Sequence, residues 1–177
     1  MTSPLKIGVL IVPPVQLLDV SPIDLFGMLT PEYLRACNMP ASVISLGIPV
    51  SIHYISLSGP GSIVELTAQA HLQISHGLDS PDVAPGKLDI VMIPGPDPGI
   101  VPEKEVLEFV RRHVEAGVTL LTVCTGVMVA GYAGVLDGKR ASGPRPLIDM
   151  ILTKKFKEVK WEDKRWSVDG NIWSSGE

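Results

Sequence analysis

Long apolar runs and basic clusters are scarce in this chain of 177 residues. No apolar stretch approaches the ~20 residues that a membrane-spanning helix requires, and the early run at residues 7–12 is too short for a signal-peptide core. The net charge of −4 argues against a nucleic-acid-binding surface. Three acids interrupt a basic run at residues 154–165, which favours a solvated helix face. We therefore expect a cytoplasmic protein without nucleic-acid or membrane partners.

Cysteine and histidine are also few, with two cysteines and four histidines. Cys37 and Cys124 lie in different contexts, and nothing around them resembles a disulfide framework or a zinc site. The histidines show no ligand spacing either, so we expect no metal and no cofactor. A reducing compartment would keep Cys124 available as a thiol, whereas Cys37 is expected to be structural.

Apolar segments alternate with helical patterns along most of the chain. Near-continuous apolar runs are typical of strands that are buried on both faces of a parallel sheet. The main predicted strands cover residues 5–12, 41–46, 53–58, 88–93 and 118–123. A weaker pattern predicts either a hairpin or an edge pair from residues 63–67 and 71–74. Strands that alternate with helices predict a single α/β domain over residues 1–177 with a mostly parallel sheet.

Capping residues and apolar spacing indicate where the helices lie. The clearest helix begins at Pro102 and should bury a stripe of Val106, Val110 and Val114. Ser21 is expected to cap an earlier helix that begins at Pro22 and buries Leu25, Phe26 and Leu29. Further helices are predicted at residues 125–135 and 147–156.

Cys124 follows directly after the predicted strand at residues 118–123 and precedes a helix. At such a turn the unpaired backbone N–H groups of the helix favour a thiolate, so this is a natural position for a nucleophile. Free cysteines are also among the most buried residues, so an inert core cysteine is the alternative. In parallel sheets, ligands bind at the carboxyl ends of the strands. We expect the loops after residues 12 and 93 to lie at that edge of the sheet together with Cys124.

These loops carry motifs that resemble the ThiJ/PfpI family. The segments, in chain order, are VQLLDVSPIDLFG, DIVMIPGPDPG, LLTVCTG, GVLDGKRAS and DGNIWSSG. The resemblance implies a flavodoxin-like three-layer sandwich related to class I glutamine amidotransferase domains. Asp19 together with VCTG looks most like the isocyanide hydratase branch. By resemblance, Cys124 is then the nucleophile at a strand-to-helix elbow and Asp19 is its acid partner.

The residues themselves allow more than one interpretation of this pair. Asp19 is not needed to cap the next helix, yet an aspartate in a loop is most often a surface residue. Next to Cys124 it would titrate with the thiol as a coupled pair. Thr125 is either an ordinary first-turn residue or offers its N–H and hydroxyl to the substrate. We expect the first for its side chain and the second for its N–H.

Two departures from the family pattern change the expected pocket. Many relatives have Pro-Gly-Gly where this chain has proline at position 96, which lacks an N–H group. The anion pocket must then depend on Gly95, Thr125 or Gly126, or differ in shape. Pro144 stands where many relatives carry a histidine, so a Cys-His-acid hydrolase triad on that pattern is not expected.

The leading functional hypothesis is a hydratase that adds water to an isocyanide through a Cys124 thioimidate, with Asp19 managing the proton. A glyoxalase-type activity on small α-oxoaldehydes is the second hypothesis, although sister branches use Glu and a nearby His for it. A redox or ligand sensor and a specialised pathway enzyme are two further hypotheses for this fold.

The sequence ends soon after the DGNIWSSG turn, where relatives usually continue into a final helix. We expect either that such a C-terminal segment lies outside this sequence or that a partner covers that face of the sheet. A homodimer is the predicted assembly.

Overall fold

A twisted sheet with helices on both sides forms the core of the computed structural model, which describes residues 3–176. Its strands are β1 (Leu5–Leu10), β2 (Val50–Ile55), β3 (Ile63–Glu65), β4 (His71–Gln73), β5 (Ile90–Ile93), β6 (Thr119–Val123), β7 (Arg140–Ala141), β8 (Lys160–Trp161), β9 (Trp166–Asp169) and β10 (Ile172–Ser175). Its α-helices are α1 (Leu17–Val20), α2 (Pro22–Gly27), α3 (Pro31–Ala36), α4 (Ala41–Ile44), α5 (Lys104–Glu115), α6 (Gly126–Tyr132), α7 (Arg145–Leu147) and α8 (Thr153–Lys155).

The main sheet has the strand order β2-β1-β5-β6-β10-β9. In this order the five strands β2, β1, β5, β6 and β10 are parallel to one another, and β9 pairs antiparallel with β10 at the edge of the sheet. The predicted α/β fold with a mostly parallel sheet is therefore confirmed. The predicted hairpin is also confirmed, because β3 and β4 pair antiparallel outside the main sheet.

Alternate residues of the strands supply two separate cores. In β1, Ile7 and Val9 pack into one core, whereas Leu10 packs into the other. In β5 the side chain of Met92 joins the core of Ile7, and Val91 joins the core of Leu10. Successive side chains of a strand point to opposite faces, so both faces of the sheet are covered. Helices α5 and α6 cover the Leu10 side, and α2 with the β3–β4 hairpin covers the Ile7 side.

The helix predicted from Pro102 is α5. Val106 and Val110 are buried, and Val114 packs partly buried against the same core. Gly117 follows in the left-handed conformation at φ 81°, which glycine adopts without strain at the end of a helix.

Three local predictions are wrong. Residues 41–46 contain the short helix α4 rather than a strand, because Val43 N–H and Ile44 N–H both donate to Pro40 O and close a helical turn. Ser21 has a helical backbone and donates its hydroxyl to Leu18 O at 2.6 Å, so it does not cap α2. Leu25 and Leu29 are exposed, since the short helix α2 buries only Ile23.

The segment predicted as one helix at residues 147–156 is α7 followed by a π-helical stretch, Ile148–Leu152, and α8. The basic run beyond it is not a helix face. After α8 the chain forms β8, and Lys164 and Arg165 lie in the bend that leads to β9.

Gly126 allows α6 to lie directly against the sheet. A Cβ atom at this position would lie 2.1 Å from the carbonyl oxygen of Ile93 in β5. Any larger residue must therefore push the first turn of α6 away from the strand.

We expect Gly126→Ala to lower the free energy of unfolding by about 2–3 kcal/mol, because the added methyl overlaps backbone rather than a side chain that can move. Gly27→Ala in α2 is the matched control, because its Cβ would have no heavy atom within 4 Å. The control should be neutral or stabilising by up to about 1 kcal/mol. Urea unfolding of both variants measures the difference, and equal stabilities would contradict this packing.

Candidate active site

Cys124 lies at the point where β6 ends and α6 begins. Its backbone has φ 54°, a left-handed conformation that costs a non-glycine residue about 1–2 kcal/mol. The N–H of Cys124 donates to Ser175 O of β10 at 3.0 Å, which holds the turn against the neighbouring strand. Strained residues of this kind cluster at functional sites. The elbow predicted at Cys124 is thus present as backbone geometry.

Asp19 is buried in α1, with 7% of its surface exposed, which contradicts the interpretation of a surface aspartate. It reaches the cysteine because the loop before α1 is bonded to the loop after β5. Gln16 N–H donates to Gly95 O at 3.1 Å, and Asp97 N–H donates to Pro14 O at 3.1 Å. These bonds bring the carboxyl ends of β1 and β5 to the elbow, as the sequence predicted.

Gly95 lies directly between the side chains of Asp19 and Thr125. A Cβ atom on it would lie 2.3 Å from Asp19 Oδ2 and 2.6 Å from Thr125 Oγ1. Only glycine leaves room for the carboxylate to reach the first turn of α6. The structure therefore places the predicted Gly95, Thr125 and Asp19 together at Cys124.

Pro96 has a positive role that the sequence did not indicate. Its carbonyl oxygen accepts a hydrogen bond from Thr125 Oγ1 at 2.5 Å. Although it lacks an N–H, Pro96 thus fixes the residue after the cysteine. Thr125 is buried and is more than an ordinary first-turn residue.

The thiol of Cys124 is not the thiolate that a helix start would favour. Burial raises the pKa of Cys124 to about 11, and the charge of Asp19 and a hydrogen bond with its side chain add to the rise. Hydrogen bonds from Thr125 lower this pKa, but burial and the carboxylate outweigh them. At neutral pH the proton stays on sulphur, beside the carboxylate that can accept it.

Histidine does not contribute to this site within residues 3–176. His113 is buried in α5, and its ring nitrogens lie 2.7 Å from Phe109 O and 3.0 Å from Val83 O. His53 and His76 face each other with ring centroids 4.6 Å apart at β2. The described residues also contain no group of three or more His, Cys, Asp or Glu side chains that would hold a metal ion.

Sequence reasoning missed the carboxyl end of β10. Ser175 is paired with Val123 in the sheet and accepts the Cys124 N–H, and Gly176 follows it. The motif DGNIWSSG covers this segment, but its pairing with β6 is a property of the folded sheet. No helix among residues 3–176 is long and apolar enough to cross a membrane.

We expect Asp19→Asn to speed alkylation of Cys124 by iodoacetamide several-fold at pH 8. The substitution removes a charge that raises the thiol pKa, so the thiolate fraction grows. In the unsubstituted protein the rate should rise about tenfold per pH unit from pH 7 to pH 10, as expected below a pKa of about 11.

The exposed Asp24→Asn in α2 is the matched control and should leave the rate unchanged. Peptide mass mapping separates Cys124 from the exposed Cys37. A slower Cys124 in Asp19→Asn would show that the carboxylate does not raise its pKa.

Comparison with known proteins agrees with this architecture. The chain is 29% identical over 175 residues to an isonitrile hydratase of Pseudomonas putida, covering 97% of this chain and 65% of that protein. The chain thus spans just under two thirds of that relative. A ThiJ/PfpI family protein of Pseudomonas syringae superposes with a TM-score of 0.72 at 15% identity, over 99% of this chain and 63% of that one.

The same fold occurs in an AraC family transcriptional regulator from Pseudomonas putida, with a TM-score of 0.71 at 16% identity, over 98% of this chain and 84% of that one. The sequence model of the DJ-1/PfpI family matches residues 31–177, which is most of the sequence. With the strand order and the elbow described above, this match shows that the chain belongs to the DJ-1/PfpI family.

Proposed function

We propose that this protein adds water to an isocyanide and releases an N-formamide, with Cys124 as nucleophile and Asp19 as the proton carrier. The observation that supports it best is the buried carboxylate of Asp19 hydrogen-bonded to a thiol that keeps its proton. The isonitrile hydratase of Pseudomonas putida, 29% identical, supports the same class of substrate.

The first step suits a thiol next to a carboxylate because an isocyanide carbon must gain both a nucleophile and a proton. Asp19 accepts the thiol proton as sulphur bonds to that carbon, and it then delivers the proton to the same carbon. The product is a thioimidate, with carbon bonded to sulphur, hydrogen and nitrogen. A group that touches the sulphur is well placed for both transfers.

Water completes the reaction at the same carbon. Asp19 removes a proton from water as the water oxygen adds to the thioimidate carbon, and it delivers this proton to the nitrogen. The tetrahedral intermediate then collapses: the carbon–sulphur bond breaks, the carbonyl forms, and the proton of the hydroxyl returns to the thiolate through Asp19. The net change is isocyanide plus water to N-formamide, and the protein returns to its starting state.

The glyoxalase and sensor hypotheses lack a supporting group at the cysteine. No histidine of the described residues accompanies Cys124, although a glyoxalase-type activity would use one. A peroxide sensor needs a low-pKa thiol, whereas burial and Asp19 raise the pKa of Cys124. Both observations favour the hydratase.

We expect cyclohexyl isocyanide to be converted to N-cyclohexylformamide, with loss of activity by more than about 10³-fold in Cys124→Ala. Asp19→Asn should lose at least about 10²-fold although its cysteine is more reactive towards iodoacetamide, because proton transfer is removed. Cys37→Ser is the matched control, since Cys37 is exposed on the end of α3.

Gas chromatography of the formamide measures each rate. Absence of turnover over a panel of aryl and alkyl isocyanides, or unchanged turnover in Cys124→Ala, would contradict the proposed reaction.

We also propose that two copies of this chain associate through the side of the sheet that carries α1 and α2. On this side Trp173 pairs in register with Leu121 of the Ile7 core and stacks on Trp166, with ring centroids 6.1 Å apart. The large exposed apolar side chains of α1, α2, β9 and β10 are Leu17, Leu18, Leu25, Trp166 and Trp173. Exposed apolar side chains on one side of the sheet favour an interaction site there.

Sedimentation velocity at micromolar concentration should give a dimer, and Leu25→Glu should shift it to monomer, because a charge would be buried at the interface. Met150→Glu is the matched control, since Met150 is equally exposed but lies in the π-helical stretch beside the Leu10 core. A clean monomer for the unsubstituted chain would contradict the dimer.

A further inference from the structure

Helix α1, which carries Asp19, is too short to be stable on its own. It has four residues, and the side chain of Gln16 before it makes no capping hydrogen bond. Isolated helices of fewer than about 12 residues are marginal in water, so a single turn needs tertiary contacts to keep its shape. The position of the Asp19 carboxylate therefore depends on the segments that contact the start of α1.

One of these segments is the loop that follows β5. Val15 forms an antiparallel bridge with Pro96, and Gln16 N–H donates to Gly95 O at 3.1 Å. These two contacts hold the chain just before α1 begins. They leave the first N–H group of the helix, that of Leu17, to a different partner.

The other segment is the turn between β3 and β4, which approaches from a separate part of the chain. Val15 forms a parallel bridge with Leu66, and Thr67 N–H donates to Val15 O at 3.0 Å. The hydroxyl of Thr67 accepts the N–H of Leu17 at 2.9 Å, from 50 residues along the chain. A helix start leaves its first N–H groups without intrahelical partners, so Thr67 supplies the cap that Gln16 does not.

The turn that carries Thr67 has a strained backbone. Ala68 and Gln69 have φ values of 59° and 58°, a left-handed conformation that costs a residue with a side chain about 1–2 kcal/mol. Leu66 N–H donates to Ala70 O at 2.8 Å and closes the turn. Strain of this kind persists only where surrounding contacts hold it. Both hydrogen bonds of Thr67 are contacts of this kind.

We propose that Thr67 is a positioning residue: its hydroxyl holds α1 so that the carboxylate of Asp19 stays against the thiol of Cys124. Without the hydroxyl, water takes its place at Leu17 N–H, and the side of α1 that faces the β3–β4 turn is no longer held. The carboxylate then spends part of its time away from the thiol. Thr67 acts on the resting protein, and only its effect on turnover rests on the proposed function.

Alkylation of Cys124 by iodoacetamide tests this role without turnover. The charge of Asp19 raises the pKa of the thiol, so a carboxylate that moves away lowers this pKa and speeds alkylation. Thr67→Val keeps the branched side chain and removes the hydroxyl. We expect it to speed alkylation of Cys124 about threefold at pH 8, the effect of one lost hydrogen bond. Thr67→Ser keeps the hydroxyl and should react at the rate of the unsubstituted protein.

Thr30→Val is the matched control, because it removes a threonine hydroxyl that caps another helix. Thr30 Oγ1 accepts the N–H of Tyr33 at the start of α3. This substitution should leave the alkylation rate of Cys124 unchanged. An unchanged rate in Thr67→Val with a native circular dichroism spectrum overturns the proposal, and so does a Thr67→Ser protein that reacts as fast as Thr67→Val.

A double-mutant cycle with Asp19→Asn separates positioning from a general loosening of the site. If Thr67 acts through the carboxylate, Thr67→Val should leave the alkylation rate of the Asp19→Asn protein unchanged. If it merely opens the site, Thr67→Val speeds Cys124 by the same factor with and without the carboxylate. That second outcome contradicts the positioning role.

Isocyanide turnover separates failure of this role from failure of the proposed reaction. We expect Thr67→Val to lower kcat for cyclohexyl isocyanide about threefold, because the proton carrier is less often in place. If no isocyanide is hydrated but the cycle shows the expected coupling, Thr67 positions Asp19 and the proposed reaction is wrong. If isocyanides are hydrated and the cycle shows no coupling, the reaction stands and the role of Thr67 is wrong.

Discussion

The site depends on one short-range interaction, the hydrogen bond between the buried carboxylate of Asp19 and the thiol of Cys124. The two residues are far apart in sequence. They meet only because the loop after β1 is hydrogen-bonded to the loop after β5, and the loop after β5 accepts a hydrogen bond from Thr125. Burial makes this pair chemically distinctive. Burial itself raises the pKa of Cys124 most, and the charge of Asp19, which would hardly affect a thiol in water, adds to the rise in this poorly solvated site.

Two glycines and a proline make this contact sterically feasible. Gly126 lets α6 begin against the carbonyl of Ile93, and Gly95 leaves room for Asp19 beside Thr125. Pro96 offers its carbonyl to the hydroxyl of Thr125, so the loss of an N–H donor there does not loosen the turn. The strained backbone of Cys124 is held by Ser175 on one side and by this packing on the other.

Much of the fold could be predicted because its signals are local. Apolar runs indicated β1, β5 and β6, and the valine stripe with Gly117 indicated α5. The prediction of a strand at residues 41–46 failed because a run this short fits a helical turn as well as a strand, and it is β2 that pairs with β1. The predicted burial of Leu25 and Leu29 was wrong because a helix as short as α2 turns few side chains towards the sheet.

The sequence by itself determined the family, the position of the elbow and the aspartate that lies beside it, because these follow from the motifs and their order in the chain. Only the tertiary structure decided the protonation of that pair. The N-terminal start of a helix favours a thiolate, but desolvation and a nearby carboxylate act more strongly on Cys124, and both depend on residues distant in the chain.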